Sequence, residues 1–209
     1  VTDLDAILVT HEHSDHVGCA VALAQQHAIA IWMSPGTYAA IGNPPLGTLL
    51  HLVQDGATID LGPLEARPFT VPHDAREPLQ LRCSDGQHHL GVATDFGHAS
   101  AHLLAQLAGC HALLLEANHD PELLAQSAYP PFLKRRVGGD WGHLSNDAAG
   151  AILTTLAHPG LACVVAAHLS ERNNRPELVR ERFACSLGWE QDAIVIAHQH
   201  SGTEWIPVG

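Results

Sequence analysis

Thr10-His11-Glu12-His13-Ser14-Asp15-His16-Val17-Gly18 follows directly on the apolar run Ala6-Ile7-Leu8-Val9. Within six residues it supplies three imidazoles and one carboxylate: His11, His13, Asp15 and His16. The apolar run predicts a buried strand, and Asp15-His16-Val17-Gly18 opens an Ala-rich segment to Gln26 that predicts a helix. The four polar side chains are therefore expected on a strand-to-helix loop. Neutral imidazoles there suit zinc or manganese, and a carboxylate can hold a second ion or a bound water. Without a cation, several polar groups would converge on a buried strand end with no partners, which is costly.

Further along the chain the same arrangement recurs. Ile29 to Met33 predicts a strand closed by Ser34-Pro35-Gly36, with a short helix from Thr37. Leu49 to Val53 and Ala57 to Pro63 suggest short strands around an Asp55-Gly56 turn. Leu64 to Val71 is an extended run that ends on His73. Leu79 to Cys83 and His88 to Ala93 flank Ser84-Asp85-Gly86-Gln87 as a hairpin, and the second strand delivers Asp95. Ser100 to Leu107, Asn146 to Leu156 and Pro176 to Leu187 predict helices. Ala112 to Leu115, Leu161 to Ala167 and Ala193 to Ala197 predict strands, the second ending at His168. Taken alone, His73 reads as a turn histidine and Asp95 as an Asx turn before Gly97; with the first motif present, both read as metal ligands. Strands alternating with helices and mixed with hairpins indicate an α/β sandwich, read as one domain over residues 1–209.

The 209 residues are 46% hydrophobic and 15% charged, enough for a sizeable core. No apolar stretch is long enough to span a bilayer and no signal peptide is visible, so no membrane partner is expected. Five scattered cysteines without a CxxC pair point to reduced, mostly buried thiols and a cytoplasmic location. A net charge of −12 excludes a protein that coats nucleic acid by bulk electrostatics. It does not exclude a nuclease, because divalent ions add positive charge locally and the basic residues are clustered. Lys134-Arg135-Arg136 is one cluster; Arg172, Arg175, Arg180 and Arg182 form another. Either is a phosphate grip or a solvated face. Histidines that fit no ligand spacing, among them His88, His89, His111, His158, His198 and His200, are expected in solvent.

His11-Glu12-His13-Ser14-Asp15-His16 resembles the HxHxDH signature of the metallo-β-lactamase superfamily. The resemblance implies an αββα four-layer sandwich and a binuclear metal hydrolase holding two divalent ions, zinc or manganese. By that likeness His11, His13 and His73 hold one ion, Asp15, His16 and His168 the other, and Asp95 bridges them. Leu114-Leu115-Glu116-Ala117-Asn118-His119-Asp120, Gly142-His143-Leu144-Ser145-Asn146 and His168-Leu169-Ser170-Glu171-Arg172-Asn173-Asn174 resemble the nuclease side of the superfamily, and most of all its YycJ/WalJ-like branch. There Glu116 and His143 would form a carboxylate–imidazole pair that hands a proton to the leaving oxygen, which is sound chemistry because a carboxylate orients an imidazole and raises its pKa. The competing reading makes Glu116 a helix N-terminal acid and His143 a loop residue. His119, Ser145, Asn146, Arg172 and Asn173 are the candidate substrate contacts, with loop ties and helix capping as the alternative. Family members carry an N-terminal hairpin ahead of the first metal motif, so the chain is expected to lack its N-terminal strands.

The resulting expectation is a binuclear metal-dependent phosphodiesterase acting on nucleic acid, a 5′-to-3′ exonuclease on single-stranded DNA or RNA, with Asp15 accepting a proton from the attacking water. The alternatives are a small-molecule hydrolase of thioesters, lactones or β-lactams, and a non-catalytic metal-stabilised binding protein.

Overall fold

A computed structural model describes residues 4–208. In chain order the elements are β1 (Ala6–Leu8), α1 (Ser14–Val17), α2 (Ala20–His27), β2 (Ala30–Met33), α3 (Pro35–Ala40), β3 (Leu50–Leu52), β4 (Ile59–Asp60), β5 (Glu65–Thr70), β6 (Leu79–Ser84) and β7 (His89–Ala93). There follow α4 (Ala101–Leu107), β8 (Ala112–Glu116), α5 (Pro121–Gln126), α6 (Pro131–Val137), α7 (Asn146–Leu156), β9 (Cys163–Ala167), α8 (Pro176–Leu187) and β10 (Val195–Ile196). The strands form two sheets, one of order β1-β2-β3 and one of order β10-β9-β8-β7-β6-β5-β4.

The small sheet is parallel throughout, with Ala6 opposite Ala30 and Ile31 opposite Leu50. Helix α2 covers it, with Ala24, Ile31, Met33 and Val9 buried together. The large sheet is antiparallel from β4 to β7 and parallel from β7 to β10. One of its faces meets α4, α7 and α8 around Phe69, Phe96, Leu103, Leu115, Leu153 and Phe183. Leu8, Trp32, Pro68, Leu79 and Leu81 line the seam between the two sheets. Helix, sheet, sheet, helix is the four-layer sandwich. Among the described residues β1 pairs on one side only, with β2.

Several local expectations change. The single helix read from Asp15 to Gln26 is broken at Gly18, whose φ of 43° no residue with a Cβ adopts easily. The Asp55-Gly56 turn joins strands of different sheets: β3 lies in the small one and β4 in the large one. Asp55 is fixed there by the Thr70 N–H and hydroxyl, at 2.9 Å and 2.7 Å. Helices α5 and α6 stand where no helix was expected, each starting on proline at its first turn. Of the five cysteines, Cys110 is buried, Cys83 and Cys163 are half-buried, and Cys19 and Cys185 are exposed rather than buried.

Candidate metal centre and active site

The ends of β1, β5, β7, β8 and β9 deliver the polar residues to one rim. Thr10, directly after the first apolar run, places its hydroxyl 3.0 Å from His11 Nδ1 and 3.1 Å from His16 Nδ1. The hydroxyl oxygen has two lone pairs and can accept from both Nδ1–H groups, the tautomer that frees the Nε2 lone pair of each ring. Both Nε2 atoms are thereby left facing the rim. His73 Nδ1 is satisfied by the Gly142 carbonyl at 3.1 Å, which turns its Nε2 the same way.

Three ring nitrogens then converge: His11 Nε2 lies 3.0 Å and His73 Nε2 lies 3.3 Å from His13 Nδ1. Tetrahedral ligands held ~2.0–2.1 Å from zinc sit about 3.3 Å apart, so these three fit a cation of that kind. Burial and the neighbouring His16 push the His11 pKa down to about 3, and burial also lowers that of His73. Neutral rings with free lone pairs are what a metal requires.

A second group joins Asp15, His16 and His168, and Asp95 lies between the two groups. Asp95 Oδ2 is 3.1 Å from His16 Nε2, and Oδ1 is 3.6 Å from His168 Nδ1 and 4.0 Å from His73 Nε2. Oδ2 is buried without an aligned hydrogen-bond donor. Burial would raise the Asp95 carboxyl, but the close imidazoles of His16, His168 and His143 outweigh it and hold it well below the carboxylate range. Asp95 and His168 also have φ of 57° and 58°. Two non-glycine residues in the left-handed region at the ends of β7 and β9, either side of β8, are strained, as functional positions often are.

Glu116, at the end of β8, is wholly buried yet fully satisfied. Its Oε1 accepts from His143 Nδ1 at 2.9 Å and from His168 Nδ1 at 2.8 Å, while Oε2 accepts from the Phe96 and Leu144 N–H groups at 3.1 Å and 3.3 Å. Burial opposes its ionisation, and these imidazole hydrogen bonds reverse that and lower its pKa. In turn, burial opposes charge on both imidazoles but Glu116 overrides it, raising the His143 pKa and lifting that of His168 to about 9. The expected Glu116–His143 pair is therefore present as a three-membered cluster. His168 is shared between that cluster and the Asp15–His16 group.

The rim opens on a cleft of about 1310 Å³ lined by Asp15, His16, His143, His168, Arg172 and Arg175. Its far wall is formed by Tyr129 and by His198, Gln199 and His200. No motif singled out His198, Gln199 or His200. The last three follow β10, which pairs with β9 and so carries them beside the strand that ends at His168.

Other sequence-based expectations are corrected. Ser145 is the N-cap of α7, its hydroxyl accepting the Ala148 N–H at 3.2 Å. Asn146 is buried and exchanges amide hydrogen bonds of 2.9 Å and 2.8 Å with Asn174. Both side chains thus make the capping and loop-tying bonds that were the alternative to substrate contact. His119 is buried too, its backbone carbonyl accepting the Asn146 N–H, and burial lowers its pKa. Asn173 lines the cleft with a side chain that is almost wholly buried, while Arg172 is exposed there. The basic clusters do not act as units. Arg136 pairs with Asp74 at 2.7 Å, Lys134 donates to the Ala125 carbonyl, and Arg182 turns to Asp147 on α7. Four of the histidines expected in solvent, His88, His89, His111 and His158, are half-buried: His111 accepts the His89 N–H, and His158 donates to the Cys110 carbonyl.

The sequence matches the model of a β-lactamase superfamily domain over residues 1–168. It is 34% identical over 185 residues to exodeoxyribonuclease YycJ of Bacillus anthracis, covering 86% of this chain and 69% of that protein. It is 36% identical over 182 residues to exodeoxyribonuclease WalJ of Streptococcus pneumoniae, covering 84% and 67%. Among solved structures, the metallo-β-lactamase fold protein YhfI from Bacillus subtilis superposes with a TM-score of 0.72 at 18% identity, covering 97% of this chain and 77% of that one. Zinc-bound PqqB from Methylobacterium extorquens does so with a TM-score of 0.70 at 17% identity, covering 96% and 73%. Those two likenesses carry the fold, and the two nuclease relatives carry the branch. From its HxHxDH loop to its sandwich of two sheets, the chain belongs to the metallo-β-lactamase superfamily of metal-dependent hydrolases, on its YycJ/WalJ-like branch.

Proposed function

We propose that this chain is a two-metal phosphodiesterase that shortens single-stranded nucleic acid from its 5′ end. The observation that carries the reading is the Glu116 clasp, which holds a protonatable imidazole, His143, on the wall of the same cleft as the metal-type ligand cluster. A thioester hydrolase has less use for it, since a thiolate leaves without a proton whereas a phosphodiester leaves as an alkoxide that needs one. The kinship with two exodeoxyribonucleases supports the same substrate class.

In this reading His11, His13 and His73 would hold one divalent ion and Asp15, His16 and His168 the other, with Asp95 available to both. Ions held there supply Lewis-acid polarisation of a phosphoryl oxygen and a nucleophile at neutral pH. Asp15 is exposed at the cleft mouth and accepts the proton of the attacking water. His143 donates from Nε2 to the leaving oxygen, while Glu116 keeps Nδ1 protonated and the ring in place. Arg172 and Arg175 receive the strand's phosphates in the cleft.

The test is a substrate panel: manganese-loaded protein against a 5′-phosphorylated oligonucleotide, a chromogenic lactam and a thioester. Metal-dependent loss of nucleotides from the 5′ end supports the proposal. Turnover confined to the lactam or thioester overturns it.

A further inference from the structure

An imidazole that offers one nitrogen to a cation needs its proton held on the other. Among the histidines assigned to the two ions, His11 and His16 turn that second nitrogen to Thr10, His73 to the Gly142 carbonyl and His168 to Glu116. His13 is the remaining one. Its Nδ1 lies among the converging nitrogens, so the proton of this ring belongs on Nε2.

Asp74 Oδ1 faces that Nε2 at 3.8 Å. It is also 3.5 Å from His73 Nε2, but the His73 proton sits on Nδ1, where Gly142 accepts it, so His73 has no hydrogen to give. Hydrogen bonds of this kind run at about 2.7–3.2 Å, and a tilt of the His13 ring by about 1 Å closes the gap. Among the described residues Asp74 joins no group of ligand atoms lying within 4.8 Å of one another. Its other oxygen, Oδ2, accepts from Arg136 Nε on α6 at 2.7 Å, and its backbone N–H donates to the Trp141 carbonyl at 2.9 Å. The Arg136 side chain is 60% exposed, and an ion pair that open adds little to stability. The pair therefore does more for the orientation of Asp74 than for the fold.

We infer that Asp74 is a positioning residue of the metal centre: it accepts the Nε2 proton of His13 and so turns Nδ1 toward the cation, while Arg136 holds it in that pose from α6. A carboxylate on the far nitrogen also makes the imidazole a more basic ligand. The inference rests on the ligand assignment proposed above and adds to it a link from α6 to the ion.

Zinc affinity, measured by competition with a chromophoric chelator, and the visible spectrum of the cobalt-loaded protein test it. Loss of such an outer-shell partner costs roughly 10–100-fold in affinity, so Asp74→Ala weakens one of the two zinc sites by that factor. Arg136→Ala weakens the same site by about tenfold and shifts the cobalt bands, and Arg136→Lys recovers part of the loss. The Asp74→Ala, Arg136→Ala double variant binds no more weakly than Asp74→Ala alone. Asp74→Asn, which keeps an oxygen to accept from His13, loses less than Asp74→Ala. Chelator-treated Arg136→Ala melts close to the wild type; a large fall in its melting temperature would make the pair a structural one and overturn the inference. Unchanged zinc affinity and cobalt bands in Arg136→Ala overturn it too, as does loss of one whole zinc from both Asp74→Asn and Asp74→Ala, which would make Asp74 a ligand. A wild type that binds zinc at neither site sinks the metal-centre reading itself, whereas two zinc ions held regardless of Arg136 sink only the positioning role.

Discussion

At Glu116 a single carboxylate oxygen receives two imidazole N–H groups, and that geometry fixes what substitution there does. Glu116→Gln removes the charge that raises the His143 pKa. A general acid works below its pKa, so the alkaline limb of the kcat profile moves to lower pH in this variant, read from a pH series. Thr10 was invisible to motif reading because it only precedes the ligands, yet its hydroxyl orients both His11 and His16. Removing such an outer-shell partner costs roughly 10–100-fold in metal affinity. Competition of Thr10→Val with a chelator of known affinity checks this, and affinity equal to wild type would refute the orienting role. His168 carries a pH prediction for the metal-free protein. Its folded pKa of about 9 is raised above the ordinary value of 6.5. Its contribution to stability is therefore complete below pH 6.5 and lost as pH rises through about 9. A melting series in chelator should fall over that alkaline window in the wild type and stay flatter in His168→Ala.

Helix α7 separates a structural from a binding role for the residues next to His143. Ser145→Ala removes a cap worth ~1 kcal/mol, and Asn146→Ala strands the buried Asn174 amide at a cost of about 1–3 kcal/mol. Urea melts should show both losses while the Michaelis constant for oligonucleotide stays at its wild-type value; a raised constant at unchanged stability would restore the substrate-contact reading. The elements themselves were largely legible. Pro176–Leu187 follows from its N1 proline, and the His89–Ala93 strand from the Asp85-Gly86 hairpin signal. Short helices α5 and α6 were not, because prolines and polar residues between two motifs read as loop. The metal-type cluster was legible because its ligands sit at strand ends with fixed local spacing. The wall formed by His198 to His200 was not, because only the long-range pairing of β10 with β9 brings it to the cleft.

For the whole molecule, uneven charge decides how a chain of net charge −12 meets a polyanion. Repulsion everywhere except at the metal rim and the arginines of the cleft favours a strand end fed in locally over a wrapped duplex. Removing Arg172 and Arg175 together should raise the Michaelis constant for oligonucleotides and flatten its salt dependence. The central claim is narrower: the Glu116 clasp and His143 deliver one proton together. Its most direct measurement is a double-mutant cycle of oligonucleotide cleavage, with metal content matched across variants. Positioned general acids contribute about 10²–10⁴-fold, so His143→Ala and Glu116→Gln should each lose much of that factor. Residues acting as a unit are strongly non-additive. The account predicts a double variant no slower than the slower single one; losses that multiply, or a His143→Ala enzyme as fast as wild type, would contradict it.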